Sequence, residues 1–220
     1  MAQVILFGIK DLAELAYYYL QTDSEHEVVG FSVHRSFLPR DNIFRGLPVI
    51  AFEEIETVFP PDSFYFFAPM THKGMNKNRE KIYHDIKTKG YNFINYVSSK
   101  ATIFDNLSIG DNNFILEDNT IQPFVTIGSN TVLWSGNHIG HHSRIENNVF
   151  ITSHVVISGN CIIGQNSFIG VNSAIKECTI IGEATFIAMS TSITQNTEPY
   201  SVYTGNPAKK IEMSSLKIRF

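Results

Sequence analysis

Residues 139–158 read IGHHSRIENNVFITSHVVIS, and the spacing within them decides the fold. Ile139, Ile145, Ile151 and Ile157 fall six residues apart. The same step runs from Ile103 to Ile193 without a slip, through sixteen positions that are all Ile except Leu133. Neither a helix, with its period of 3.6, nor a single strand, with its period of 2, produces that spacing. Two residues before each aliphatic stands a smaller side chain, from Ala101 and Asn113 through Val125, Ser143 and Cys161 to Thr191. Residues i and i−2 of a strand share a face, so each Ile and the smaller residue before it point inward together. A six-residue period means a β-helix of hexapeptide repeats.

Three hexapeptides make one triangular coil, and a little over five coils stacked at interstrand spacing give a prism roughly 25 Å tall. Each buried Ile contributes on the order of 1.5–3 kcal/mol, so a column of them suffices for a core. The third position after each Ile becomes a corner. Asn dominates it, at Asn106, Asn112, Asn130, Asn148, Asn160, Asn166, Asn172 and Asn196, alongside His142, His154 and Cys178. That preference is expected where a tight corner needs a left-handed backbone.

The 220 residues carry a net charge of −4 with no nucleic-acid-type basic run, which argues against a nucleic-acid partner. The clustered basic residues are Lys209, Lys210, Lys217 and Arg219 in the tail. Two cysteines make no disulfide framework, and Cys161 falls at an inward position. With no basic-then-apolar leader and no apolar run of spanning length, a soluble cytoplasmic protein without membrane insertion is expected.

Before the repeat, Val4–Phe7 and Glu27–Val33 read as strands around a helix over Asp11–Leu20, and Ser63–Ala68 as a third strand. A short acidic helix is expected around Glu53–Val58, a polar helix over Asn76–Lys89, and a strand over Tyr91–Tyr96 leading into the coil. Such alternation implies a small Rossmann-like α/β unit with a parallel sheet. The expected division is residues 1–96 for this unit, 97–197 for the β-helix and 198–220 for a tail. A ligand crevice is expected at the carboxyl ends of the strands, around Phe7–Asp11 and Ser32–Arg35.

Four of the eight histidines lie in the middle coils. His142 and His154 occupy corner positions, where the backbone itself explains them, and His138 precedes an inward Ile and points outward. His141 stands two after Ile139, in a column otherwise holding Asp105, Glu117, Pro123, Ser129, Asn147 and Gly159, among others. Nothing in the repeat asks for an imidazole there, and acyl transfer from a thioester wants a base that works near neutral pH.

The hexapeptides, with Gly or an acidic residue after the Ile, together with Gly205-Asn206-Pro207-Ala208-Lys209 past the last coil, resemble the hexapeptide-repeat sugar acetyltransferases of the sialic-acid O-acetyltransferase and bacillosamine N-acetyltransferase type. The general crossover rule favours a right-handed coil. The resemblance implies a left-handed β-helix instead, and a homotrimer with acetyl-CoA between subunits and no metal. It lays Ile139-Gly140-His141 on the family's catalytic histidine, and Gly159 on the glycine whose backbone N–H faces the thioester carbonyl. Gly205, Pro207 and Lys209 fall near the coenzyme A site. The N-terminal unit would hold a nucleotide-linked amino sugar, with Gly8, Lys10, Arg35 and His142 as substrate-side candidates. Two departures stand out. Where the family often has an acidic residue after the catalytic histidine, this chain has His142. The glycine-rich first loop of the family is Gly8-Ile9-Lys10-Asp11 here.

The expected activity is acetyl transfer to the amine of a nucleotide-linked amino sugar, with transfer to a sugar hydroxyl as the alternative. A metal-dependent hydratase similar to γ-type carbonic anhydrase and a non-catalytic scaffold are the readings of other classes. For the hydratase, His138, His142 and His154 supply nitrogens but lack that family's five-residue ligand spacing.

Overall fold

A computed structural model describes residues 1–218, so Arg219 lies outside the described residues. The N-terminal unit is a six-stranded sheet built from β1 (Gln3–Phe7), β2 (Glu27–Val33), β3 (Ile43–Phe44), β4 (Leu47–Ala51), β5 (Tyr65–Phe67) and β6 (Asn92–Phe93), in the order β3-β4-β2-β1-β5-β6. All pairings are parallel except β3 with β4. Helices α1 (Asp11–Thr22), α2 (Ile55–Val58) and α3 (Lys77–Thr88) connect them. After β4 the chain crosses back to place β5 on the free side of β1, so the reversal of strand order falls between β1 and β5.

Three expectations change in detail. Leu47–Ala51, left unassigned between the second and third strands, is a strand that pairs antiparallel with β3 and parallel with β2. The strand expected over Tyr91–Tyr96 divides in two, and Tyr96–Val97 pairs with Phe114–Ile115 of the coil rather than with the N-terminal sheet. The polar helix starts at Lys77, because Asn76 is left-handed (φ 65°).

From Tyr96 the chain winds into a left-handed parallel β-helix. Each two-residue strand pairs with the one eighteen residues on, as in Phe114↔Val132 and Thr120↔His138. The inward column from Ile115 to Ile193 is buried throughout, while Ile103 and Ile109 at the first coil are partly open because no full coil lies beneath them. The corners Asn112 through Ser190 all take positive φ, and only the end corners Asn106 and Asn196 do not. Ser201–Thr204 continues the first face and turns back as Lys209–Ser214.

The three faces of the prism differ. The first presents Phe114, Val132, Phe150, Phe168 and (half-buried) Phe186 outward, with Phe168 and Phe186 stacked at 4.9 Å. The N-terminal unit packs on this face, and its sheet shares one hydrophobic core with these side chains. The second face carries Thr120, His138, Val156, Ala174 and Ser192, and the third Thr126, Arg144, Ile162 and Ile180.

α3 docks on the corner between the third and first faces. There Asn112, Asn130 and Asn148 form a buried ladder, each side-chain amide donating to the next at 2.7 Å. The Arg79 guanidinium, fully buried, donates to the carbonyls of Asn130 at 3.1 Å and Asn148 at 2.7 Å, and to Asn76 Oδ1 at 3.0 Å. Asn76 in turn donates to the Asn166 carbonyl at 2.9 Å. Burial pushes Arg79 down to about 9, with Glu80 opposing, so it stays charged at neutral pH. On the opposite edge of the first face, the Tyr19 hydroxyl donates to Glu117 at 2.7 Å.

Arg79 therefore joins the two units. Arg79→Ala strands several buried carbonyls and is expected to lower the unfolding free energy by about 3–5 kcal/mol, read by urea denaturation. Arg79→Lys is expected to recover little, because an ammonium cannot span both coil carbonyls as the planar fork does. A loss within about 1 kcal/mol would contradict this role.

Candidate active site

His141 lies at the turn from the second face to the third, just before the corner residue His142. Its backbone is pinned from both sides: Gln122 Oε1 below accepts its N–H at 2.9 Å, and its carbonyl accepts the N–H of Asn160 above at 2.9 Å. The next residue up in its column is Gly159, and the imidazole leans into the space that glycine leaves. A Cβ on Gly159 would stand 2.7 Å from Cε1 and 2.8 Å from Nε2 of the ring. Gly159 has no positive φ, so its role is to make room, not to adopt a special backbone conformation. Its own N–H makes no hydrogen bond within the described chain.

His142 has the left-handed φ of its corner, 57°, and packs at a tilt of 33° against Phe124 one coil below, with ring centroids 4.6 Å apart. Its Nδ1 lies 3.1 Å from Nδ1 of His141. The other histidines separate by the same geometry. His154 is a corner (φ 58°) whose ring covers Gly136, and His138 is a half-buried outward residue of the second face. Among the described residues no group of three or more His, Cys, Asp or Glu is placed to hold a metal ion.

The tail candidates fall above His141 on the same face. The carbonyl of Gly205 accepts the Ser192 N–H at 3.0 Å, and the Ala208 N–H donates to the Ser192 carbonyl at 3.0 Å. His138, Val156, Ala174 and Ser192 are successive rungs and the tail loop pairs beyond Ser192, so it lies four coils, or about 19 Å, above the level of the histidine. Gly205, Pro207 and Lys209 are exposed there, and the Asn206-Pro207 bond is cis.

The N-terminal candidates do not meet His141 within the chain. Gly8 (φ 116°) closes β1 and donates to the Ser32 carbonyl at 2.9 Å, and Lys10 is exposed at the start of α1. The Arg35 guanidinium is engaged by Glu54, and its N–H donates to Glu53 at 3.0 Å. Glu53's own N–H, the Arg35 N–H and the His34 ring hold the Glu53 carboxyl below its usual range. All of these attach to the first face, whereas His141 stands at the corner opposite it.

Sequence reasoning passed over Gln122, Phe124 and the partnership of His142. Counting eighteen back from His141 and His142 gives Pro123, beside Gln122, and Phe124, so coil arithmetic reaches both. The ring-to-ring contact of two adjacent residues is set by side-chain rotamers, and no spacing signals it.

Residues 106–141 and 125–159 match the family described as bacterial transferase hexapeptide (six repeats), and residues 160–195 match the hexapeptide repeat of succinyl-transferase. No curated relative matches by sequence. Among solved structures, perosamine N-acetyltransferase from Caulobacter crescentus, in complex with CoA and GDP-perosamine, superposes with TM-score 0.83 at 16% identity over 97% of this chain and 98% of that one. The acetyltransferase domain of PglB from Neisseria gonorrhoeae gives 0.81 at 18% identity, covering 96% and 100%. WeeI from Acinetobacter baumannii gives 0.72 at 18%, also covering 96% and 100%. The whole chain therefore has the fold of these proteins, N-terminal unit included.

Gly159→Ala is expected to drive the His141 ring out of its place and break its contact with His142, while the melting temperature stays close to that of the parent. Imidazole nitrogen NMR of the two histidines measures this. Unchanged His141 signals in the alanine variant would show that the glycine is not what makes room for the ring.

Proposed function

From a coil built of bacterial transferase hexapeptide repeats, in a chain that has the fold of sugar N-acetyltransferases throughout, we propose an acetyl-CoA-dependent acetyltransferase acting on the amine of a nucleotide-linked amino sugar. The observation that carries this reading is His141, exposed just before a corner, with its Nε2 where a side chain on Gly159 would stand and with the Gly159 N–H unpaired.

The chemistry follows from that placement. His141 Nε2 accepts the proton of the attacking sugar nitrogen, and the N–H of Gly159 receives the negative charge that develops on the thioester oxygen. With both substrates held side by side, no covalent enzyme intermediate is needed. The thioester end of acetyl-CoA lies at His141. Its pantetheine arm runs up the second face past the small rungs Val156, Ala174 and Ser192 towards the exposed Gly205–Lys209 loop, where Lys209 offers charge to phosphate. No metal takes part.

A homotrimer completes the site. The chain's own N-terminal unit covers the first face, and the corner bearing His141 is opposite. A sugar held by an N-terminal unit therefore reaches His141 of a neighbouring subunit, not of its own. The second and third faces, with Val156 and Ile180 each 46% exposed, remain for the neighbours to cover. The perosamine N-acetyltransferase structures hold CoA together with GDP-perosamine, a nucleotide-linked amino sugar, which supports the substrate class. The base and the phosphate contacts within the N-terminal crevice include Gly8 and Lys10; Arg35 takes part only if it leaves Glu54.

His141→Asn is expected to lower kcat by about 10²- to 10⁴-fold in a screen of nucleotide-linked amino sugars with acetyl-CoA, read by the mass of the product. Near-parental turnover in that variant would sink the assignment. Turnover is expected to survive exhaustive chelation; its loss, restored by zinc, would favour the hydratase-type metal site instead.

A further inference from the structure

His142 is explained as a corner by its backbone, yet its ring does something that no other corner residue of the coil does: it meets the ring of His141, Nδ1 to Nδ1, at 3.1 Å. We propose that His142 is the positioning residue of the site, a neutral imidazole that fixes the tautomer of His141 and shares the proton that His141 takes up. The proposal rests on the reading of His141 as the base.

Two ring nitrogens at that distance hold one hydrogen between them, since a neutral imidazole has one donor and one acceptor. Two neutral arrangements exist. In the first, His141 Nδ1–H donates to His142, so His141 Nε2 is bare and faces Gly159 as an acceptor, while His142 carries its other proton on Nε2. In the second, His142 donates, and His141 Nε2 carries a proton and cannot act as a base. A sugar amine at Gly159 brings N–H groups that need an acceptor and so selects the first. The His142 ring cannot turn away freely, because its corner backbone is fixed, its backbone N–H donates to the Pro123 carbonyl at 3.3 Å, and the Phe124 ring packs against it at a tilt. Among the described residues neither ring has a carboxylate partner, so the two imidazoles form the whole unit.

The proton balance is closed. As the amine nitrogen bonds to the acetyl carbon, its proton passes to His141 Nε2, and the shared hydrogen moves from His141 Nδ1 to His142 Nδ1. The positive charge then rests on the outer, exposed ring. When the carbon–sulfur bond breaks, the thiolate of coenzyme A takes the proton on His141 Nε2, and the shared hydrogen returns to His141. The products are the amide and the free thiol, and both rings are restored. A carboxylate in the same place would orient the ring and stabilise its charge by attraction. The second imidazole instead spreads the charge, and a second proton on the pair breaks the contact, because both Nδ1 atoms become donors.

Asn and Asp both accept the left-handed corner, so two variants separate orientation from folding. His142→Asn is expected to lower kcat about 10- to 100-fold, with the KM for acetyl-CoA within about twofold and the melting temperature unchanged. Nitrogen NMR of the enzyme with the amino sugar bound should show His141 protonated on Nδ1 in the parent and a mixture of the two tautomers in the variant. His142→Asp restores an acceptor with full charge, so kcat should recover in part. The acid limb of kcat/KM should move to higher pH, since a carboxylate favours the protonated ring. Parental kcat and tautomer in His142→Asn would reduce His142 to a corner residue and overturn the proposal. Equal losses in both variants with no movement of the pH profile would do the same. Activity that survives His141→Asn would instead overturn the underlying assignment of the base, whatever the His142 variants do.

Discussion

Every corner of the β-helix depends on one backbone constraint: from Asn112 to Ser190, each sixth residue is held in the left-handed region. That conformation costs a non-glycine residue roughly 1–2 kcal/mol, and Asn bears it best because its side chain bonds locally. The inward Ile column offsets the cost, since each coil seats three fully buried aliphatics on the three below. Corner strain and core burial are therefore one device, repeated until the last left-handed corner at Ser190 and the last inward aliphatic at Ile193.

The same corners do three different jobs. Where the third face meets the first, their amides stack as a buried ladder whose carbonyls receive Arg79, and the strain of the corner becomes the docking point of the N-terminal unit. Where the first meets the second, His154 covers Gly136. Where the second meets the third, Phe124 and His142 pack together and His142 sets its imidazole against that of His141. Burying Arg79 is tolerable because each of its donors finds a carbonyl or amide oxygen; without them the desolvation of the guanidinium would not be compensated.

His141 and Gly159 show how the repeat makes a site without departing from itself. Both occupy the same column one coil apart, and their carbonyls accept the N–H groups of Asn160 and Cys178 from the coil above, so no strand is broken to create the site. A small residue above gives the ring its room, and the ring's neighbour supplies a partner that differs in charge from the carboxylate the family resemblance leads one to expect. The N-terminal unit covers the first face, whereas His141 stands near the corner opposite it, so within one chain the two lie apart.

The hexapeptide period fixed the coil, its inward residues, its corners and the singling out of His141, because a six-residue repeat with an eighteen-residue register leaves each side chain one geometric column. The strands β1 and β2 and helix α1 were equally legible from their apolar runs. The sequence reading left Leu47–Ala51 unassigned, although in the structure it is a strand between β3 and β2. Nor did it show that a charged helix buries Arg79, because polar composition describes the helix and not the carbonyls that wait for it on the coil. Which corner the N-terminal unit would cover, and that His142 would turn its ring onto His141, were decided only in three dimensions. Both are contacts between side chains whose approach depends on rotamers and on the packing of distant segments, and a periodic pattern carries information about neither.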